Sequence, residues 1–310
     1  MTVRFDGRVA IITGAGNGLG RSHALGLAAR GAKVVVNDLG SAVDGNDGSR
    51  DAADLVVEEI RSLGGEAMAS SANVADYAQV QAMVSKARKK WGRVDILVNN
   101  AGILRDKSFS KMDVEDFKAV VDVHLMGSAN CTRAVWETMR EQQYGRIVMT
   151  SSSSGLYGNF GQANYGAAKM GVVGLMNALH LEGARYGIHI NTLSPTAATR
   201  MTEDLVPRAC LDLMTVESVT AGLLYLVQDQ APSRLILCAG AGGYAVTRIY
   251  ETNGIYLAPD EQTPENIASN LSKLLDSRDQ AMLQDAQGQT MKFVTQAAKA
   301  LGVTLEGTGA

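Results

Sequence analysis

The strongest constraint on the fold lies in six short runs of apolar and β-branched residues. They are VAIIT (9–13), KVVVN (33–37), DILVNN (95–100), GRIVMTS (145–151), HINTLS (189–194) and RLILCAG (234–240). None alternates strictly between apolar and polar positions, and segments of helical period separate them. A strand without that alternation is buried on both faces. The pattern therefore predicts an α/β fold, a Rossmann-type doubly wound parallel sheet with helices on both faces. After RLILCAGAGGYAV the pattern changes. Gly240, Gly242 and Gly243 are read as closing the last strand. Two amphipathic helices are expected beyond it, one over TPENIASNLSKLL (263–275) and one from about Met291 to Leu301. In the first, Thr263 suits the N-cap and Pro264 the first helical position. The expected organisation is a Rossmann-fold domain over 1–245 and a helical C-terminal extension over 246–310.

The 310 residues are 46% hydrophobic, which is enough apolar material for a large core. Lys and Arg number 29 against 32 Asp and Glu, and no basic run is present. Neither nucleic acid nor a membrane surface is indicated as a partner. Cys131, Cys210 and Cys238 are isolated and lack metal-ligand spacing, so neither a disulfide framework nor a metal site is expected, and a reducing compartment is. MTVRFDGRVAIIT lacks the charged-then-apolar pattern of a signal peptide, and no apolar run approaches 18 residues. The final EGTGA is not a peroxisomal address. A cytoplasmic protein is expected.

The first strand runs into TGAGNGLG, with glycines at 14, 16, 18 and 20. Such a strand-to-helix turn lets backbone approach a pyrophosphate, and the following helix offers unpaired N–H groups and the positive end of its dipole. From Gly14 the spacing is G-x-x-x-G-x-G, because Leu19 stands where G-x-G-x-x-G needs glycine. No G-K-[ST] follows, so a triphosphate-binding P-loop is not supported. Asp38 stands twenty residues after Gly18, at the end of the second strand. A carboxylate there accepts both ribose hydroxyls of an adenosine and repels a 2′-phosphate, which favours NAD over NADP. The alternative is a turn-forming Asp ahead of Leu39 and Gly40. The segment LGSAVDGNDGSR (39–50) that follows reads as a long surface loop.

In QANYGAAKM (162–170), Tyr165 and Lys169 are four residues apart. On a helix that spacing puts them on one face, where an ammonium can reach a phenol. The same pairing also arises by chance. Taken with TGAGNGLG, with NNAG at 99–102 and with Ser152 thirteen residues before Tyr165, it resembles the short-chain dehydrogenase/reductase family over roughly residues 5–245.

The resemblance implies a nicotinamide-dependent oxidoreductase in which Ser152 holds the substrate oxygen, Tyr165 exchanges its proton, and Lys169 favours the phenolate and bonds the nicotinamide ribose. Asn99 and Asn100 would brace the sheet. The implied cofactor contacts begin with Gly14, Asn17, Gly18, Leu19, Gly20 and Asp38. They continue through Asn73, Val74, Asn100, Ala101 and Gly102 to Pro195 and Thr199, besides Tyr165 and Lys169.

Two departures stand out. The family usually places an Asn in the helix after NNAG, where it kinks the helix around a proton-relaying water. VDVHLMG puts His124 there, to be read either as a core histidine or as a catalytic member of the same relay. The second is SPTAATRMT, where Thr196 replaces the usual Gly after Pro195. With NNAGILRDKSF and YGRIVMTSSSSGLYGNFGQANY, these departures resemble the (3R)-hydroxyacyl-CoA dehydrogenase branch found in multifunctional enzymes of type 2.

The branch implies NAD-dependent oxidation of a (3R)-3-hydroxyacyl-CoA. Arg105, Lys107, Arg200 and Arg208 are the candidate contacts for the CoA phosphates. A hydroxysteroid or 3-oxoacyl carrier protein as substrate, and a non-enzymatic NAD(H)-binding protein, are the alternative readings. Gly166, Gly171 and Gly174 on the Tyr165 helix suggest close packing, and the family pattern implies a homodimer or homotetramer through that helix.

Overall fold

The computed structural model describes residues 2–40, 44–45, 51–199 and 207–305. The chain divides into two compact units, Met1–Thr247 and Arg248–Ala310.

The first unit is built on an eight-stranded sheet. Its strands are β1 (Val9–Thr13), β2 (Lys33–Asn37), β3 (Ala67–Ser70), β4 (Ile96–Asn99), β5 (Gly145–Thr150), β6 (Ile188–Thr196), β7 (Ile236–Gly240) and β8 (Gly243–Thr247). The order across the sheet is β3-β2-β1-β4-β5-β6-β7-β8. Every pair from β3 to β7 is parallel, and β8 is antiparallel to β7. Six of these strands coincide with the runs read from the sequence. β3 escapes that reading because AMAS is an edge strand whose small residues are mostly half-buried. β8 corrects the reading of the glycines after β7. Ala241 (φ 50°) and Gly242 (φ 77°) turn the chain back in a two-residue hairpin, and the strand it starts has exposed side chains.

Helices cover both faces. On one lie α1 (Gly18–Ala28), α2 (Asp51–Ser62) and a later helix, residues 216–227, packed on Ile12, Val34, Val36, Val98 and Leu193. On the other lie α3 (Tyr77–Trp91), α4 (Val114–Val121), α5 (Gly127–Gln142), the short α6 (Ser153–Tyr157) and α7 (Ala163–Gly183), around Ile11, Val35, Leu97, Ile147 and Met149. The β-strand residues therefore send alternate side chains into two separate cores, which is why the strands carry no polar face. Arg208–Val227 is apolar enough on average to attract attention as a span, but it folds as α8 (Arg208–Leu211) and α9 (Val216–Val227) with a break between them. α9 buries Val219, Leu223, Leu226 and Val227 in the core.

The amino ends of β1, β4 and β5 are tied by charge. Asp95 is fully buried; it accepts from the Val9 N–H at 2.8 Å and from Arg93 at 2.6 and 2.8 Å. The Tyr144 ring lies between the guanidinium groups of Arg8 (3.7 Å) and Arg146 (4.3 Å), and its hydroxyl donates to Asp229. These contacts close the amino-end rim and leave the opposite, carboxyl ends of the strands for loops.

In the second unit Thr263 does cap a helix, accepting from the Asn266 N–H at 3.2 Å with Pro264 at the first helical position. The predicted single helix is two pieces, α10 (Pro264–Ser269) and α11 (Leu271–Leu274), separated at Asn270. The last helix, α12 (Ala286–Leu301), starts five residues earlier than expected, because Asp285 caps it through the Gly288 N–H at 2.8 Å.

Candidate functional site

A cavity of about 530 Å³ opens at the carboxyl ends of β1 and β4. These adjacent strands are where the strand order reverses, the place at which open α/β sheets leave a crevice. Its floor is the turn between β1 and α1. Gly14 takes φ +62°, and a Cβ on it would come within 2.8 Å of Ala101 Cα. A Cβ on Gly20 would overlap the Gly14 carbonyl oxygen and stand 2.6 Å from Asn100 Nδ2. Asn100 locks this approach: its Nδ2 donates to the carbonyls of Thr13 and Gly14, each at 3.0 Å. Thr13 Oγ1, from the residue that opens TGAGNGLG, accepts from the N–H groups of Asn100 and Ala101. The NNAG segment and the glycine turn are thus one unit, bonded across β1 and β4.

Asp38 sits on the cavity wall at the end of β2. Its carboxylate accepts from the Gly16 N–H at 2.8 Å and from the Gly40 N–H at 2.7 Å. Two backbone donors pin both oxygens in place while leaving lone pairs for a further donor. Of the residues named for a cofactor, Asn17, Gly18, Leu19, Asn73, Val74, Gly102 and Thr199 also line the cavity, with the turn glycines, Asp38, Asn100 and Ala101. Pro195, Tyr165 and Lys169 do not line it. Pro195 is half-buried in β6, paired with Ala239. Thr199 lies against the turn, its Cγ2 3.6 Å from where a Gly18 Cβ would be. A dinucleotide fits these residues. The backbone is bare where a pyrophosphate must approach, α1 presents its N-terminus, and a fixed carboxylate stands at the distance of one strand end.

Beyond Gly102 the second half of the site begins. His124 lies in a π-helical turn, Asp122–Met126, between α4 and α5. This distortion falls where the family resemblance implies a kink, and π-bulges recur at functional sites. Gly102 has no side chain because a Cβ there would overlap His124 Cε1. The His124 ring meets Tyr165 edge to face, with centroids 5.1 Å apart. Its Nε2 lies 2.8 Å from the Ile103 carbonyl oxygen and 3.1 Å from the Ile103 nitrogen, whereas the buried Nδ1 has no protein partner. Burial and the neighbouring Lys169 hold this imidazole well below its ordinary pKa, so it is neutral.

Lys169 is buried one turn after Tyr165 on α7, with Nζ 5.4 Å from the centre of the tyrosine ring. The ammonium donates to the Thr150 carbonyl at 2.7 Å, and burial lowers its pKa to about 7. Burial raises the Tyr165 phenol, with a smaller opposing effect from a hydrogen bond to the Ser152 hydroxyl and a further increase from Asp106. Ser152 caps α6, its Oγ accepting from the Ser154 N–H at 3.2 Å. A Cβ on Gly155 would stand 2.7 Å from Lys169 Cβ, so this glycine lets α6 lie directly on α7. Of the other serines, Ser151 supports the site from behind, its hydroxyl donating to the Lys169 carbonyl at 2.8 Å.

The candidate CoA contacts fare differently. Arg105 lines the cavity but reaches Asp116 at 3.2 Å; Lys107 holds Asp113 and Asp116 at 2.8 and 2.9 Å. Arg208 pairs with Asp212 at 3.0 Å on the surface, and Arg200 lies outside the described residues. The glycines of α7 also divide. Cβ atoms on Gly166 and Gly171 would press on Ser154 and Leu125 of the same chain, and only Gly174 has open space. Packing within the subunit therefore accounts for two of the three.

A model of the short chain dehydrogenase family matches residues 8–209. The peroxisomal multifunctional enzyme type 2 of Drosophila melanogaster is 43% identical over 98% of this chain and 52% of its own length. The protein of that name from Mus musculus is 46% identical over 93% of this chain and 39% of its own. The solved full-length Drosophila structure superposes with a TM-score of 0.81 at 37% identity, over 96% of this chain and 51% of that one. The chain thus spans about half the length, or less, of these relatives.

Proposed function

This chain belongs to the short-chain dehydrogenase family, whose members are NAD(P)-dependent oxidoreductases, and from that premise we propose that it oxidises a (3R)-3-hydroxyacyl-CoA to the 3-oxoacyl-CoA with NAD. The observation that carries the chemistry is the meeting of Ser152, Tyr165 and Lys169 with His124 behind the Gly102 wall of the cavity. The substrate class rests on the resemblance of residues 99–109 and 144–165 to the hydroxyacyl-CoA dehydrogenase branch and on the similarity to the type 2 multifunctional enzymes.

Bound NAD supplies the hydride acceptor for the carbinol carbon. Ser152 Oγ holds the substrate hydroxyl, and Tyr165 Oη takes its proton. A free phenol, with a pKa near 10, misses neutrality by about 3 units, worth about 4 kcal/mol. Lys169 works against this gap: burial lowers its ammonium to about 7, so above that pH the pair is short of one proton. That deficit is shared between phenol and amine, and the phenolate–ammonium form gains from their opposite charges. The neutral His124, with Nδ1 unpartnered, is suited to pass a proton between the pair and a water. Oxidation is accordingly expected to rise with pH through the neutral range.

Asp38 supports NAD over NADP, because its two backbone donors keep the carboxylate from swinging away from a 2′-phosphate. Asp38→Ser is expected to cut kcat/KM for NAD by about 10-fold or more and to improve the ratio for NADP, as a lost charge-assisted bond of 1.5–3 kcal/mol implies, roughly. An unchanged cofactor ratio would leave Asp38 as a turn residue only.

The direct test follows NADH formation with (3R)- and (3S)-3-hydroxyacyl-CoA. Turnover of the 3R ester alone supports the proposal. If neither ester reacts while NAD still binds, a hydroxysteroid or a carrier-protein thioester becomes the better substrate class. A homodimer or homotetramer using the open face at Gly174 belongs to the proposal, as does a cytoplasmic location, although the relatives compared above are named peroxisomal.

A further inference from the structure

Arg105, Asp106 and Lys107 follow directly on the cavity wall at Gly102 and Ile103, and their three charges separate in space. Both cations turn to the start of α4, where its N-cap residue Asp113 and Asp116 hold them. The carboxylate between them turns to α7. Asp106 Oδ2 accepts from Gln162 Nε2 at 2.6 Å, and Asp106 has no ion pair among the described residues. Gln162 is itself buried, with its Oε1 accepting from Asn159 Nδ2 at 3.0 Å. Two further bonds run alongside. Asn164 Nδ2, on a fully buried side chain, donates to the Arg105 carbonyl, and the Lys107 N–H donates to the Gly161 carbonyl, each at 3.0 Å.

The strap from 102 to 107 thus has two anchor points on either side of Tyr165. At one end Ile103 meets the His124 ring that packs on the phenol. At the other, Asp106 meets Gln162, the N-cap residue of α7, three positions before Tyr165. A carboxylate at the first turn of a 21-residue helix is favoured by the helix dipole, and a bond to a charged acceptor is about twice as strong as a neutral one.

We infer that Asp106 is a positioning residue for the Tyr165 phenol, acting through Gln162 and through a charge that its flanking cations leave uncompensated. The inference rests on the reading of Tyr165 as the proton acceptor. The bond to Gln162 fixes the first turn of α7, and with it the approach of the phenol to Ser152. The charge works against phenolate formation. Around Tyr165 stand Lys169 from its own helix, neutral His124 from the π-helical turn and the Ser152 hydroxyl that follows β5, while the charge of Asp106, held at the first turn of α7 by Gln162, raises the phenol. Arg105 is engaged by Asp116 instead.

Four variants separate the bond from the charge. Asp106→Asn keeps an acceptor for Gln162 and removes the charge, Asp106→Glu keeps the charge, Asp106→Ala removes both, and Gln162→Leu removes the bond alone. Ultraviolet difference absorbance against pH, with Tyr165→Phe subtracted, reports the phenolate of the full chain without substrate. The titration of Asp106→Asn is expected about half a pH unit below wild type, as for loss of a nearby like charge. Asp106→Glu should restore the wild-type curve. Gln162→Leu should leave the titration in place and lower kcat several-fold, and Asp106→Ala should do both. Superimposable titrations for wild type, Asp106→Asn and Asp106→Ala overturn the inference. A wild type that oxidises no secondary alcohol would sink the dehydrogenase reading by itself, and the absorbance titration would still decide the role of Asp106.

Discussion

Tyr165→Phe is expected to lower kcat for alcohol oxidation by about 10³-fold, near 4 kcal/mol in the barrier, with NAD affinity unchanged. The substitution removes one oxygen and keeps the ring that packs on His124 at 5.1 Å, so neither α7 nor the π-helical turn has cause to move. What disappears is the acceptor for the substrate proton. Ser152 cannot replace it, because its hydroxyl is an α6 cap and has no base of its own. Lys169 is held by the Thr150 carbonyl, 2.7 Å from its Nζ, with the centre of the tyrosine ring 5.4 Å away. Single-turnover kinetics with tightly bound NAD would measure the loss. A variant retaining more than about a tenth of wild-type kcat would assign the proton to another group.

Gly20→Ala is expected to weaken NAD binding by 100-fold or more and to lower stability by about 2–3 kcal/mol. The added methyl would overlap the Gly14 carbonyl oxygen, with Asn100 Nδ2 at 2.6 Å and Ala15 Cα at 2.8 Å. These neighbours are backbone, or a side chain held by two hydrogen bonds, so none gives way as the end of a long flexible chain would. The turn must open, which displaces the first turn of α1 from the crevice and breaks the tie between Asn100 and β1. Calorimetric titration with NAD and thermal unfolding of the same preparation separate the two effects. Wild-type binding by a destabilised protein would mean that the turn does not form the pyrophosphate cradle.

The two experiments bear on residues that differ in how visible they are in the sequence. Gly14, Gly18, Gly20 and Asp38 announce themselves because they act locally, where a strand end, a tight turn and a helix start lie within a few residues of one another. Tyr165 and Lys169 are visible for the same reason, being one helical turn apart. The supporting residues carry no such mark. Thr13 opens TGAGNGLG at the end of a strand, but no local pattern tells that its hydroxyl holds the N–H groups of Asn100 and Ala101, some 87 residues away. Gln162, Asn164 and Asp106 read as ordinary polar residues, and their bonds close only when α7 comes down beside the loop after β4. Arg105 and Lys107 show the converse. Their charge suggests a ligand, but α4 supplies Asp113 and Asp116 first.

By itself the sequence determined the layer architecture, because two-sided burial forces uninterrupted apolar strands. It also marked the locally encoded parts of the candidate site: the glycine turn, Asp38, and the Tyr165–Lys169 pair at helical spacing. Only the tertiary structure decided where polar groups lacking a local partner would find one. β3 and β8 lie at the sheet edges with little apolar signal. His124 lost its ordinary pKa through burial beside Lys169, and the charge of Asp106 was left facing α7. Desolvation and long-range hydrogen bonding depend on which surfaces meet, and that is a property of the packed chain rather than of any stretch of residues.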